Sequence, residues 1–140
     1  MTNLNTNQTA IRDLLTHARV IAVVGHSDNP ARTSYRIAQF LRQTGYKVYA
    51  VNPTLTEIDG EPCYATLADV PEPIDIVNVF RQAQYLPGVV EEAIKVGAKA
   101  VWGQLAVHDD GAVAQAVSAG LDIVTDQCIK IEFMRLNIQR

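Results

Sequence analysis

Residues 20–40 read VIAVVGHSDNPARTSYRIAQF, and few folds accommodate that order of features. The first five residues are an unbroken apolar run rich in β-branched side chains, the signature of a parallel strand buried on both faces. Gly25 ends the run, and a polar loop follows over 26–33, with Pro30 and Arg32 inside it. From Ser34 the spacing becomes helical: Ile37, Phe40 and Leu41 share one face, while Arg36, Gln39 and Arg42 point away from it. Strand, glycine, polar loop and helix start together aim backbone N–H groups and a helix dipole at an anion. The loop is therefore expected to hold a phosphate-bearing cofactor.

The rest of the chain repeats the alternation of strand and helix. A first helix is predicted to run to about His17, capped by Asn7 or Thr9, with Ile11, Leu14 and Leu15 as its apolar stripe. Residues 1–8 are expected to form a flexible arm. After the helix over 34–44 and Gly45, the segment KVYAV over 47–51 is a second strand that Asn52-Pro53 stops. An irregular stretch covers 54–73, with a turn at Asp59-Gly60 and a short helix after Thr66. Strands are then expected at 74–80 (IDIVNVF), 100–102 and 123–125, and helices from Pro87 to Val96, over 112–119 and over 129–136.

These units predict one doubly wound α/β domain of Rossmann type over 1–140. It has a five-stranded, mainly parallel sheet in order 3-2-1-4-5 with helices on both faces. Ligands of such sheets bind beyond the C-terminal strand ends, at the point where the strand order reverses. The loops at 25–33, 52–54, 80–82 and 103–107 are therefore expected to surround the site.

Composition narrows the partners. A chain of 140 residues with 48% hydrophobic and 19% charged residues is an ordinary globular domain with a sizeable core. A net charge of −3 argues against non-specific nucleic-acid binding. No apolar run approaches the roughly 20 residues that span a bilayer. The polar, uncharged start MTNLNTNQTA resembles neither a secretory signal nor a transit peptide, so the expected location is the cytoplasm. Cys63 and Cys128 are too far apart in sequence for a metal motif or a disulfide framework.

Two common cofactors fit poorly. The dinucleotide pattern G-x-G-x-x-G is absent, because no glycine follows Gly25 until Gly45. The second strand ends in Val51-Asn52-Pro53, without the carboxylate that holds a ribose 2′-hydroxyl. No G-K-[ST] occurs either, which disfavours a P-loop hydrolase. What remains is a phosphate-accepting loop with hydroxyls at Ser27, Thr33 and Ser34 and with Arg32 and Arg36 nearby. An uncharged second-strand end tolerates a ribose bearing an extra phosphate, as in coenzyme A, although other phosphorylated ligands meet the same criteria.

The segments GHSDNPARTSYRIA, VYAVNP, IDIVNVFR, GAKAVWGQL and DQCIKIE, in this order, resemble the small stand-alone CoA-binding proteins. Those are similar to the CoA-binding domain of succinyl-CoA synthetase α subunits and of acyl-CoA synthetases. The likeness runs from about Leu14 to Leu136. It implies a Rossmann-like fold and a CoA or acyl-CoA ligand. Carried onto this chain, it implies phosphate contacts at Gly25, Ser27, Asp28 and Asn29, completed by Pro30, Arg32, Ser34 and Tyr35. It implies further that Asn52 and Pro53 flank the adenosine end, that Phe80 and Arg81 line the site, and that Trp102 to Gln104 approach the pantetheine. The synthetases carry a second domain with a phosphorylated histidine, which this chain does not show after its Rossmann segment. Binding is implied, as carrier, sensor or partner subunit; catalysis is not.

Two rival readings stay open. One is a small acyl-CoA-using enzyme or a subunit of a split synthetase, with Cys128 and His108 as its suggestive residues. The other is an NAD(P)-binding regulatory domain. Ser34 suits a helix N-cap as well as a ligand contact, and Trp102 suits core as well as a channel wall. His26 reads as a loop histidine, because no partner base or nucleophile is identifiable. Each cysteine reads as buried and inert unless it forms a mixed disulfide with a CoA thiol. Pairing of two copies fits a domain of this type, but no sequence feature specifies an interface.

Overall fold

The computed structural model describes residues 3–140 and consists of a twisted sheet covered on both faces by helices. The strands are β1 (Val20–Val24), β2 (Lys47–Val51), β3 (Glu57–Ile58), β4 (Glu61–Tyr64), β5 (Ile76–Val79), β6 (Ala100–Gly103) and β7 (Asp122–Val124). The helices are α1 (Gln8–His17), α2 (Thr33–Gln43), α3 (Leu86–Val96), α4 (Asp110–Ser118) and α5 (Ile129–Arg135). The order across the sheet is β3-β4-β2-β1-β5-β6-β7, and only β3 runs antiparallel to its neighbour.

The expected five strands are thus seven. The parallel strands alone, counted along the chain, do lie in order 3-2-1-4-5-6, but the third place belongs to Glu61–Tyr64 and not to the strand near 76. That short strand sits in the stretch the sequence marks as irregular. It pairs with β2 only at Ala50↔Cys63 and Val51↔Tyr64, too briefly to leave a periodic signal. The strand predicted over 74–80 is the fourth parallel strand, and it lies against β1 with Val23 opposite Asn78.

Alternation along each strand divides the core in two. Ile21, Val23, Ile76, Trp102 and Val124 pack under α1, α2 and α5. Ala22, Val24, Val77, Val79, Val101 and Ile123 pack under α3 and α4. Side chains on both faces are buried, which is why β1 reads as a continuous apolar run.

Residues 1 and 2 of the expected flexible arm lie outside the described residues. Its remainder is docked: Asn3 bridges to Ile123, Leu4 is buried and its N–H donates to Ile123 O at 2.8 Å. Asn5 exchanges two hydrogen bonds with Thr125. Asn7, one of the two caps expected, accepts from Ala10 N–H at 3.0 Å.

Candidate functional site

The candidate site lies beyond the C-terminal ends of β1 and β5, the neighbouring first and fourth parallel strands, where the strand order reverses. Gly25 turns the chain there with φ +87°, its N–H donating to Val51 O at 2.8 Å. A Cβ at this position would stand 2.5 Å from Phe80 O, so glycine is required both by the backbone and by the neighbouring strand end.

The loop after Gly25 is held by its own polar side chains. Ser34 is not the helix N-cap: Arg32 occupies that position, without a side-chain capping bond. Ser34 lies one residue inside α2, is buried, and its Oγ accepts from Ser27 N–H at 3.0 Å. Ser27 Oγ in turn accepts from Asn29 N–H, and Asn29 Oδ1 from Ala31 N–H. Asn52 ties the loop to the end of β2, with Nδ2 donating to His26 O at 3.1 Å and Oδ1 accepting twice from Thr54. The first N–H groups of α2 have no intrahelical carbonyl to bind.

His26 is fully buried beneath this loop. Its Nδ1 lies 2.8 Å from Ser27 O and its Nε2 3.2 Å from Arg42 Nη1. Nδ1–H therefore donates to the carbonyl, while Nε2 accepts from the guanidinium. Burial first, and then Arg42, push its pKa below the ordinary value, outweighing the raising effect of the bond to Ser27. Both ring nitrogens are thus engaged within the protein, one by the loop and one by α2.

Two adjoining hollows open over the loop. The polar one, of about 630 Å³, is lined by Gly25, Ser27, Asp28, Ala31, Arg32, Thr33 and Ser34, with Asn52, Thr54, Leu55 and Phe80 completing it. The apolar one, of about 600 Å³, is lined by Thr33, Ile37, Phe80, Arg81, Gln82, Ala83 and Gln104, with Leu105, Ala106, Val107 and Cys128 beyond them. Thr33 and Phe80 belong to both.

Of the fourteen expected ligand residues, Gly25, Ser27, Asp28, Arg32, Ser34, Asn52, Phe80, Arg81 and Gln104 line one hollow or the other. Asn29, Pro30 and Pro53 are exposed on the loops outside them, where Asn29 shapes the turn. Tyr35 turns away to donate to the Asp59 carboxylate, which raises its pKa, and meets the His26 ring edge-on at 6.0 Å. Trp102 is core and no channel wall. It is fully buried, and its Nε1–H donates to Gln127 O at 2.8 Å.

Ile37, Ala83 and Leu55 carry no sequence signal as ligand residues, because only the packing of α2, of the turn after β5 and of the β2–β3 connection brings them to the hollows. Leu105 and Ala106 lie in a loop the topology rule does mark. Ala106 holds φ +67°, fixed by donation of its N–H to Asp126 Oδ1 at 2.6 Å. Beneath them, Asn78 Nδ2 donates to Gln104 Oε1 at 3.0 Å, and Asn78 Oδ1 is a buried atom without a partner among the described residues.

The sequence profile of the CoA binding domain matches residues 19–134. The chain belongs to that family. It is 37% identical over 127 residues to the Bacillus subtilis protein YneT, covering 91% of this chain and 94% of that one. A solved structure of a hypothetical protein from Pyrococcus horikoshii superposes with a TM-score of 0.91 at 36% identity, over 98% of this chain and 97% of the other. An ADP-forming acetate–CoA ligase of Archaeoglobus fulgidus is 36% identical over 93 residues, which are 66% of this chain but only 13% of the ligase. The chain is thus similar to one segment of a much larger ligase. Among the described residues no helix is long and apolar enough to cross a membrane, and no cluster of three His, Cys, Asp or Glu is placed to hold a metal.

Proposed function

We propose that this protein binds coenzyme A or an acyl-CoA, with the pyrophosphate over residues 25–34 and the pantetheine arm along the apolar hollow. The observation that carries this is the pair of hollows, one polar and one apolar, joined at Thr33 and Phe80 across the strand-order switch point. Coenzyme A has that distribution: a charged nucleotide at one end and a long, weakly polar arm at the other. The α2 N-terminus and Arg32 supply positive potential for the phosphates, while Asp28 puts one carboxylate on the same rim. Asn52 at the end of β2 leaves room for a phosphorylated ribose where a carboxylate would repel it.

The role proposed is that of a carrier, sensor or partner subunit in the cytoplasm. It rests on the kinship with ligase segments and on a site in which the buried histidine is already committed to the loop. Titration calorimetry with CoA, dephospho-CoA and NAD tests it. CoA is expected to bind, and Arg32→Ala to weaken it by about tenfold, the worth of one charge-assisted hydrogen bond at a partly solvated site. Uptake of NAD with no heat from CoA at millimolar concentration would reject the ligand and favour a dinucleotide-binding regulatory domain.

A further inference from the structure

The apolar hollow ends in a thiol and a spare amide donor, neither of which the phosphate end of a ligand would use. Cys128 lines the hollow and is 8% exposed. Cys63 is differently placed, packed with Ala50 and Ile58 under the sheet edge and donating to Asn52 O at 3.7 Å.

The end of β6 fixes the backbone on both sides of Cys128. Trp102 Nε1–H donates to Gln127 O at 2.8 Å, Gln127 N–H donates to Gly103 O at 3.3 Å, and Ile129 N–H donates to Gln104 Oε1 at 3.0 Å. Gln104 Oε1 also accepts from Asn78 Nδ2, which settles the orientation of its amide. Its Nε2 is left without a protein partner among the described residues, although Gln104 is only 6% exposed and lines the hollow next to Cys128. That leaves Nε2 free to donate to an acceptor that a ligand brings into the hollow. Pantetheine carries two amide carbonyls on the way to its thiol.

We propose that Cys128 captures the thiol end of a pantetheine-bearing ligand as a mixed disulfide, with Gln104 Nε2 donating to a carbonyl of the same arm. This rests on the CoA reading above and adds to it a reversible covalent state. The co-reactant is a disulfide of the ligand, such as CoA disulfide. The Cys128 thiolate attacks one sulfur, a Cys128–S bond forms, and the original S–S bond breaks. The other half leaves as a thiolate and takes up the proton that Cys128 gave to solvent. The Cys128 sulfur is oxidised and the departing sulfur reduced, so no further oxidant is needed. Excess free thiol reverses the step.

Intact-mass spectrometry of the full chain after incubation with CoA disulfide tests this. One adduct is expected, heavier by one CoA less two hydrogens, released by dithiothreitol, absent from Cys128→Ser and retained by Cys63→Ser. Because the polar hollow positions the reagent, CoA disulfide should react roughly tenfold or more faster than glutathione disulfide, and Arg32→Ala should narrow that gap. An adduct on Cys63, or equal rates with both disulfides, would overturn the proposal. Calorimetry of the wild-type chain with CoA in dithiothreitol separates the two claims. Reversible binding without an adduct removes only the covalent step, whereas no binding removes the CoA reading as well.

Discussion

Gly25 faces two constraints at once, a left-handed backbone and the carbonyl of Phe80 where a Cβ would go. Gly25→Ala must move β5 or distort the loop, and an alanine in that conformation alone costs about 1–3 kcal/mol. The expected result is a lower urea midpoint together with weakened CoA binding; an unchanged midpoint would show that the strand end gives way freely. The neighbouring His26 makes a separate prediction about pH. In the unfolded chain it titrates near the ordinary 6.5, while in the folded chain burial holds it lower. Between those two values the unfolded state binds the extra proton, so stability falls as pH drops below about 6.5. The fall ends below the folded value, and its slope is at most about 1.4 kcal/mol per pH unit. Urea denaturation between pH 7.5 and 5.5 should show this slope in the wild type and a flatter one in His26→Gln. The same slope in both proteins would mean that other groups carry it.

Strand β6 does more than fill the core, because its end anchors the loop before α5 through Trp102, Gly103 and Gln104. Trp102→Phe keeps most of the ring but leaves the Gln127 carbonyl without its donor, at a cost of about 1–3 kcal/mol. It should also weaken CoA binding while Phe80 and Arg32 are untouched. Lost stability with unaltered CoA affinity would show that the loop keeps its place without the indole. The same strand explains why sequence alone leaves Trp102 undecided. Trp102 and Gln104 share a face by period-two alternation, and only the position of the α5 loop decides that the first is covered and the second meets the hollow. Elements with a long apolar run or a capped amphipathic stripe, such as β1 and α1, are legible in the residues. Of the β3–β4 hairpin only the Asp59-Gly60 turn is legible, since Glu57–Ile58 and Glu61–Tyr64 are too short for a periodic pattern and carry Pro62.

Across the molecule, the alternation of strand and helix suffices to gather the C-terminal strand ends along one edge of the sheet, because right-handed crossovers leave few topologies. The polar hollow was legible for the same reason: strand, glycine, loop and helix are contiguous, so local chemistry builds it. The apolar hollow needs three distant connections to converge, and only their general location follows from topology. Contacts between distant parts of the sequence are likewise visible only in the fold. Leu4 and Asn5 are stitched to β7, and Arg140 Nη1 donates to the carbonyls of Leu15, Thr16 and Ala18, at 3.2, 2.9 and 2.7 Å. Those are carbonyls left over at the end of α1, the negative pole of its dipole. The guanidinium also lies 3.8 Å from the centroid of the Tyr46 ring, whose hydroxyl donates to Leu15 O and is pushed by burial up to about 12. Arg140→Ala removes a cation that closes α1 against the start of β2. Since the arginine is largely solvated, the expected loss is about 1 kcal/mol, smaller than for a buried charge-assisted bond. It should appear in urea denaturation at low salt and shrink as salt is raised, with CoA affinity unchanged because the contact lies away from both hollows. A loss that does not respond to salt would assign the effect to packing on Tyr46 instead of to the helix end.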